Sequence, residues 1–299
     1  MFEHLVGRVA ELWRYPVKSM LGERRNQLPF TPSGALGDRA WALRETATGR
    51  IASAKRFPQL LAFHARYEVE PTFAAPGRIQ ITLPDRRTIC PDDSDASRII
   101  SDLLGLSVRL ENQPASDEKT GIDRATVFGD VPVSTMKAEW TPESMPDYFQ
   151  LMTGTFFEIG AVYLLASGSV DHLRKLQGGT ARIDRRRFRP NIYIESEAEC
   201  GGFVEDSWLG GALNIGGAVR VEGFQPTVWC VTSTLPQQDL PRDLSILRTT
   251  AQHHRGCLGV YATVTRAGLL QAGDVAYLVN QGTDTACSMS ESPDLTGRM

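Results

Sequence analysis

Cys230 has the widest chemical range of any residue in this chain. It stands in V-R-V-E-G-F-Q-P-T-V-W-C-V-T-S-T-L-P-Q-Q-D-L, residues 219–240, between two β-type runs, Thr227–Trp229 and Val231–Thr232. Three chemistries are open to such a thiol: a packed core group, a nucleophile, or one thiolate ligand to a metal whose other ligands come from a cofactor. Burial statistics alone favour the packed thiol. The other cysteines, Cys90, Cys200, Cys257 and Cys287, bring the total to an odd five with no C-x-x-C spacing. That excludes a zinc ribbon, a four-cysteine iron–sulfur site and a disulfide scaffold, and it points to a reducing compartment. The remaining chemistry is cationic. Lys18 and Ser19 end R-Y-P-V-K-S, Arg39 lies in G-D-R, and Arg189 and Asn191 lie in F-R-P-N. Taken singly, these read as solvated loop charges. A lysine is a compact charge and an arginine a planar fork, and both suit a phosphate. Ser169, at a predicted helix start with Ser167 just before it, adds backbone N–H groups of the kind that bind anions. His253 and His254 precede a glycine turn and read as loop histidines.

The elements that must position these groups are mostly short strands. Residues 5–13 alternate as a strand, and Pro16 ends it, which puts Lys18 and Ser19 on a loop beyond it. Further strands are predicted at 26–30, 40–44, 62–70 and 78–83. Residues 92–104 predict a helix capped by Asp or Ser, with Ile99, Ile100, Leu103 and Leu104 as its stripe. Residues 111–125 are polar and turn-rich and read as a boundary or mobile loop; 131–152, with its prolines, reads as irregular. In the second half, 161–166 is a strand, Ser169 caps a helix over 170–176, and 191–195 is a strand after the basic run 182–187. Strands or turns at 208–215 and 218–221 follow, then a helix at 244–251. The last two strands, 258–265 and 274–279, have a glycine-rich turn between them. Trp13, Trp41 and Trp208 read as packing residues. The pattern is mainly β with a few helices (α+β): a barrel-like domain at 116–280, a β-rich domain at 1–115, and a polar tail, 281–299, expected to be disordered.

The chain has 299 residues, 41% of them hydrophobic, and a net charge of −3. That supports a real core and argues against nucleic acid or a polybasic membrane surface as the main partner. An 18-residue apolar run and a signal-peptide pattern are both absent, which gives a cytoplasmic expectation.

The order of motifs adds a resemblance. Y-P-V-K-S (15–19), G-D-R-A-W-A-L (37–43), F-R-P-N (188–191), D-S-W (206–208), the Cys230 region and L-G-V-Y-A-T-V…G-D (258–274) follow one another. Together they resemble the MOSC family, with its N-terminal β-barrel partner domain, over nearly the whole chain. The nearest branch is similar to the amidoxime-reducing components and their bacterial relatives. The resemblance implies a molybdenum cofactor (molybdopterin) ligated by Cys230. Lys18, Ser19 and Arg39 would hold it from the N-terminal domain, and Arg189, Asn191, Ser169 and Ser167 from the MOSC domain. It also implies reduction of N-hydroxylated or N-oxide small molecules. In many relatives an arginine precedes the cysteine; here it is Trp229, and this departure bears on substrate type. Alternative readings are a sulfur-transfer protein carrying a persulfide on Cys230, or a non-catalytic carrier of the cofactor. For the reductase, the lack of a four-cysteine cluster and of a G-x-G-x-x-G after a strand implies a separate iron–sulfur, flavin or haem electron donor.

Overall fold

This computed structural model describes residues 2–121, 123, 127–137, 141, 144, 147–179, 183–197 and 202–280. Arg182, Cys200, Cys287 and the tail 281–299 lie outside the described residues.

Seven strands close into a barrel: β1 (Phe2–Arg14), β2 (Val162–Ala166), β3 (Ile192–Ser196), β4 (Ala212–Ile215), β5 (Val219–Val228), β6 (Cys257–Arg266) and β7 (Val275–Asn280). Their order is β3-β2-β6-β5-β4-β7-β1, and β1 pairs back onto β3. Only β2 and β3 run parallel; the other barrel pairs are antiparallel. A parallel pair needs a crossover, supplied here by helix Ser167–Leu176 and the turn Arg185–Phe188. The period-2 pattern explains the layers. Val162, Leu164 and Ala166 of β2 point inward with Leu12, Ile192, Ile194, Leu213 and Val260. Tyr163 and Leu165 point outward, under Val170, Leu173, Phe188, Ile246 and Leu247. Hence all five residues of β2 are buried. Trp208 is fully buried in the barrel core.

A second lobe contains the strands His64–Val69, Arg78–Thr82 and Thr88–Ile89, the pair Ala42–Glu45 with Val108–Glu111, and helix α1 (Ala96–Leu104). Its core holds Val17, Met20, Leu43, Phe63, Ile81 and Ile100. Helix α2 is Ser167–Leu176 and α3 is Ser245–His254. Residue 115 divides the chain but not the sheets. β1 belongs to the barrel, and Gln27–Thr31 pairs with Gly268–Gln271. Lys119–Gly121 pairs with Tyr148–Gln150, and Ile51 bridges to Thr120.

Several local expectations are corrected. Helix α1 starts at Ala96 behind Asp95, whose carboxylate makes no cap bond and instead accepts from Arg98 Nη2 at 2.9 Å. Ser169 is not a cap: α2 begins at Ser167 behind Ala166. Val231–Thr232 is not a strand but opens a 3₁₀ turn, Val231–Thr234. The Val231 N–H donates to Val127 O at 2.7 Å, and the Ser233 and Thr234 hydroxyls donate to Cys230 O and Val231 O. Such local side-chain bonds draw the backbone away from a ladder, against the β preference of valine and threonine. The expected turn between the last two strands also contains the strand Gly268–Gln271.

Candidate functional site

A cavity of about 270 Å³ lies where β5 and β6 of the barrel meet the loops of the second lobe. Strand β5 carries Cys230 to it. Its pairing with β6 slips between Glu222 and Gln225 and again between Pro226 and Val228. Irregularities of this kind bend a strand, and they tolerate a proline. Gln225, Pro226, Val228, Trp229 and Cys230 consequently line the cavity. Cys230 is half-buried, and its Sγ donates to Thr232 Oγ1 at 3.3 Å. Trp229 is fixed behind it: its Nε1 donates to Leu258 O at 2.9 Å, and its ring packs edge-on against Tyr163 and Phe188. Gly160 gives Tyr261 room, since a Cβ there would stand 2.6 Å from the Tyr261 Cβ.

The wall is cationic. Lys18, Arg39, Lys55, Lys137 and Arg189 line it against one carboxylate, Glu158. The Lys18 ammonium donates to Phe156 O at 3.0 Å and lies 3.3 Å from Glu158. Burial pushes it down to about 8, against the pull of Glu158. Glu158 also pairs with Lys55. Burial alone would raise the Glu158 carboxyl, but the two ammonium groups hold it well below the usual carboxylate range. Arg39 pairs with Asp38. Arg189 is 8% exposed, and its Nη1 and Nη2 have no hydrogen-bond partner. Burial pushes its guanidinium down to about 10. Ser19, Arg39 and Arg189 are three of the six described non-glycine residues with left-handed φ, at 68°, 46° and 52°. Such a conformation persists only where the surroundings impose it, and it concentrates at binding sites.

The cavity therefore brings together Cys230, Lys18, Ser19, Arg39 and Arg189. Ser167, Ser169 and Asn191 are not among its lining residues. Ser167 Oγ accepts from the Ser196 N–H at 3.0 Å. Ser169 Oγ donates to Glu205 and accepts from the Val204 N–H at 2.8 Å. Asn191 Oδ1 accepts from the Tyr163 N–H, and its Nδ2 donates to Trp13 O and Asp38 Oδ2. These three side chains hold the framework, and Asn191 reaches the cavity through Asp38 and Arg39. Trp13, Trp41 and Trp208 also lie outside the lining. His254 is engaged elsewhere, with Asp206 and Cys257 O. Burial pushes the Cys257 thiol up to about 11, so it stays protonated at neutral pH.

Sequence reasoning missed Ser53, Lys55, Glu158 and Tyr261. Ser53 is 2% exposed with an unpartnered Oγ. Of these only Tyr261 lies in a motif quoted above, L-G-V-Y-A-T-V, and it was not assigned a role there. Among the described residues no group of three His, Cys, Asp or Glu side chains could hold a metal by itself. A half-buried thiol beside an unpaired buried guanidinium and two lysines does fit a group that brings its own metal ligands and an anionic tail.

Comparison with known proteins points the same way. Residues 6–118 match the MOSC N-terminal beta barrel domain, and residues 154–277 match the MOSC domain. The chain is 25% identical to mitochondrial amidoxime reducing component 2 of Bos taurus, over 92% of this chain and 84% of that protein. It is also 25% identical to component 2 of Homo sapiens, over 91% and 83% respectively. A solved structure, the YUAD protein from Bacillus subtilis, aligns with 94% of this chain and 100% of its own at a TM-score of 0.46 and 12% identity. Two adjoining domain matches, in family order and spanning the closed barrel and the second lobe, make this chain a member of the MOSC family, which is associated with the molybdenum cofactor.

Proposed function

We propose that the cavity holds a pyranopterin molybdenum cofactor and that the protein reduces N-hydroxylated or N-oxide compounds with electrons from a separate donor protein. One observation carries this reading: Arg189 Nη1 and Nη2, buried without a partner, share a cavity with the half-buried Cys230 thiol. The relatives' names, amidoxime reducing components, support the reaction class. When bound, the cofactor supplies two-electron oxygen-atom transfer chemistry. For an N-hydroxylated amine the balance is R–NH–OH + 2e⁻ + 2H⁺ → R–NH₂ + H₂O, with cleavage of the N–O bond.

The chain's own residues have four tasks. Cys230 Sγ offers the metal a thiolate, the soft ligand that suits a redox metal. Arg39 and Arg189 take the phosphate tail in their planar forks, and Ser19 lies beside them. Phe128, Phe149, Phe157 and Phe188 line the cavity and limit water. Lys18, on the same wall, adds a compact positive charge that holds the anionic part of the cofactor.

Protein made in a host with an intact cofactor pathway is assayed for molybdenum, for pterin and for turnover of benzamidoxime with reduced viologen. Near-stoichiometric metal and pterin with viologen-driven turnover, and none with NADH alone, is the expected result. Cys230→Ala should lose turnover and change the metal's spectrum while it stays folded. A metal-free, pterin-free protein with a persulfide on Cys230 would establish the sulfur-transfer reading in its place.

A further inference from the structure

The two arginines of the cavity converge on one aromatic ring. Arg189 Cζ lies 4.2 Å from the Tyr15 ring centroid, and Arg39 Cζ lies 5.1 Å from it. Tyr15 is 4% exposed and belongs to the turn after β1, far in sequence from Arg189. Its other groups fasten both neighbourhoods. The Tyr15 N–H donates to Asp38 Oδ1 at 2.6 Å, and its hydroxyl donates to Pro190 O at 3.3 Å. Asp38 Oδ2 in turn accepts from Arg39 and from Asn191 Nδ2. Two guanidiniums facing one cavity repel each other, and among the described residues Asp38 is the one carboxylate paired with either. An aromatic face offsets part of that repulsion, because its π cloud is negative. Both arginines also have left-handed φ, 46° and 52°.

From this juxtaposition we propose that Tyr15 is a positioning residue that holds Arg39 and Arg189 as a two-pronged clamp for a phosphate monoester dianion. The proposal rests on the reading of the cavity as a cofactor site, but it concerns the clamp before anything is bound. Tyr15 touches the ligand's partners and not the reacting atoms. Its hydroxyl serves the Pro190 carbonyl, whereas the ring serves the clamp, so phenylalanine should substitute and an aliphatic side chain should not.

Protein made in a cofactor-deficient host is titrated with inorganic phosphate and followed by calorimetry, with thermal unfolding measured alongside. Wild type should bind saturably and Arg189→Ala should not. Tyr15→Phe should stay within about twofold of wild type, and Tyr15→Leu, titrated well below its own lowered Tm, should weaken roughly thirtyfold, the size of a desolvated cation–π contact. Equal affinity of Tyr15→Leu and wild type would overturn the role of Tyr15 alone; no phosphate binding by wild type would overturn the cavity reading and the clamp together. Because Tyr15→Leu could fail to fold, the guanidinium Nε–H resonances of wild type give a second measurement. Those of Arg39 and Arg189 should both show ring-current displacement and move together on addition of phosphate. Resonances at solvent-exposed arginine positions, unmoved by phosphate, would overturn the clamp.

Discussion

Lys18 shows how burial sets the behaviour of a single residue. Its ammonium is lowered from 10.5 to about 8, chiefly by burial and in opposition to Glu158. Between those values the unfolded chain holds a proton that the folded chain has released, so this group makes stability rise with pH from about 8 to 10.5. Its effect on an anionic ligand has the opposite sign, because the cavity loses a positive charge as pH rises through about 8. Retention of the bound group on gel filtration should therefore fall between pH 7 and pH 9 in wild type. Lys18→Arg, which keeps its charge, should retain the group at both; equal loss from the two proteins would show that Lys18 does not grip it. Lys18, Ser19, Arg39, Arg189 and Cys230 were singled out by the ordered motifs that resemble the MOSC family, since each alone reads as a solvated loop group or a packed thiol. Lys55 and Glu158 lie in none of the quoted motifs, and Tyr261, which does, reads there as an ordinary strand residue; only folding brings the three to one wall.

At the scale of an element, Glu205 determines how α2 begins. Its carboxylate accepts from the Ala166 N–H at 2.6 Å and from the Ser169 hydroxyl, which occupies the place of a missing side-chain cap. Burial raises this carboxyl from 4.5 to about 7, against those hydrogen bonds. The folded protein then holds a proton that the unfolded chain has lost, so the group's contribution is complete below about 4.5 and disappears as pH rises through about 7. Glu205→Gln keeps the shape without the charge. It should flatten the fall in stability over that window, on the order of 3 kcal/mol at most, measured by urea unfolding at pH 5 and pH 8. An unchanged slope would mean that Glu205 ionises freely in the fold. Strands with clear alternation or continuous apolar runs, such as 161–166 and 258–265, were legible in the sequence. The 3₁₀ turn after Cys230 was not: its β-branched residues signal a strand, and the Val231 N–H finds its acceptor on Val127, which only folding brings there.

At the scale of the molecule, the sequence suggests two consecutive domains, whereas the strands are interleaved. β1 fills the gap between β3 and β7, with Gly7 opposite Ser196 and Leu5 opposite Tyr277. A fragment of residues 116–280 would expose two unpaired strand edges and lose Val9 and Leu12 from the barrel core. Expressed alone, it should be unfolded or aggregated by circular dichroism and light scattering, and co-expression with residues 1–115 should rescue it. An independently folded fragment with native β content would refute this. The same closure has a consequence in time. Strand β1 has as a partner a strand made much later, β7, so the barrel cannot close until both have left the ribosome. Arg39 comes long before Arg189 and Cys230 in the chain, so the walls of the cavity meet only once the Cys230 region has been made. A prosthetic group held by both walls can therefore be inserted only after that point, and a nascent chain that stops before Cys230 has nowhere to put one.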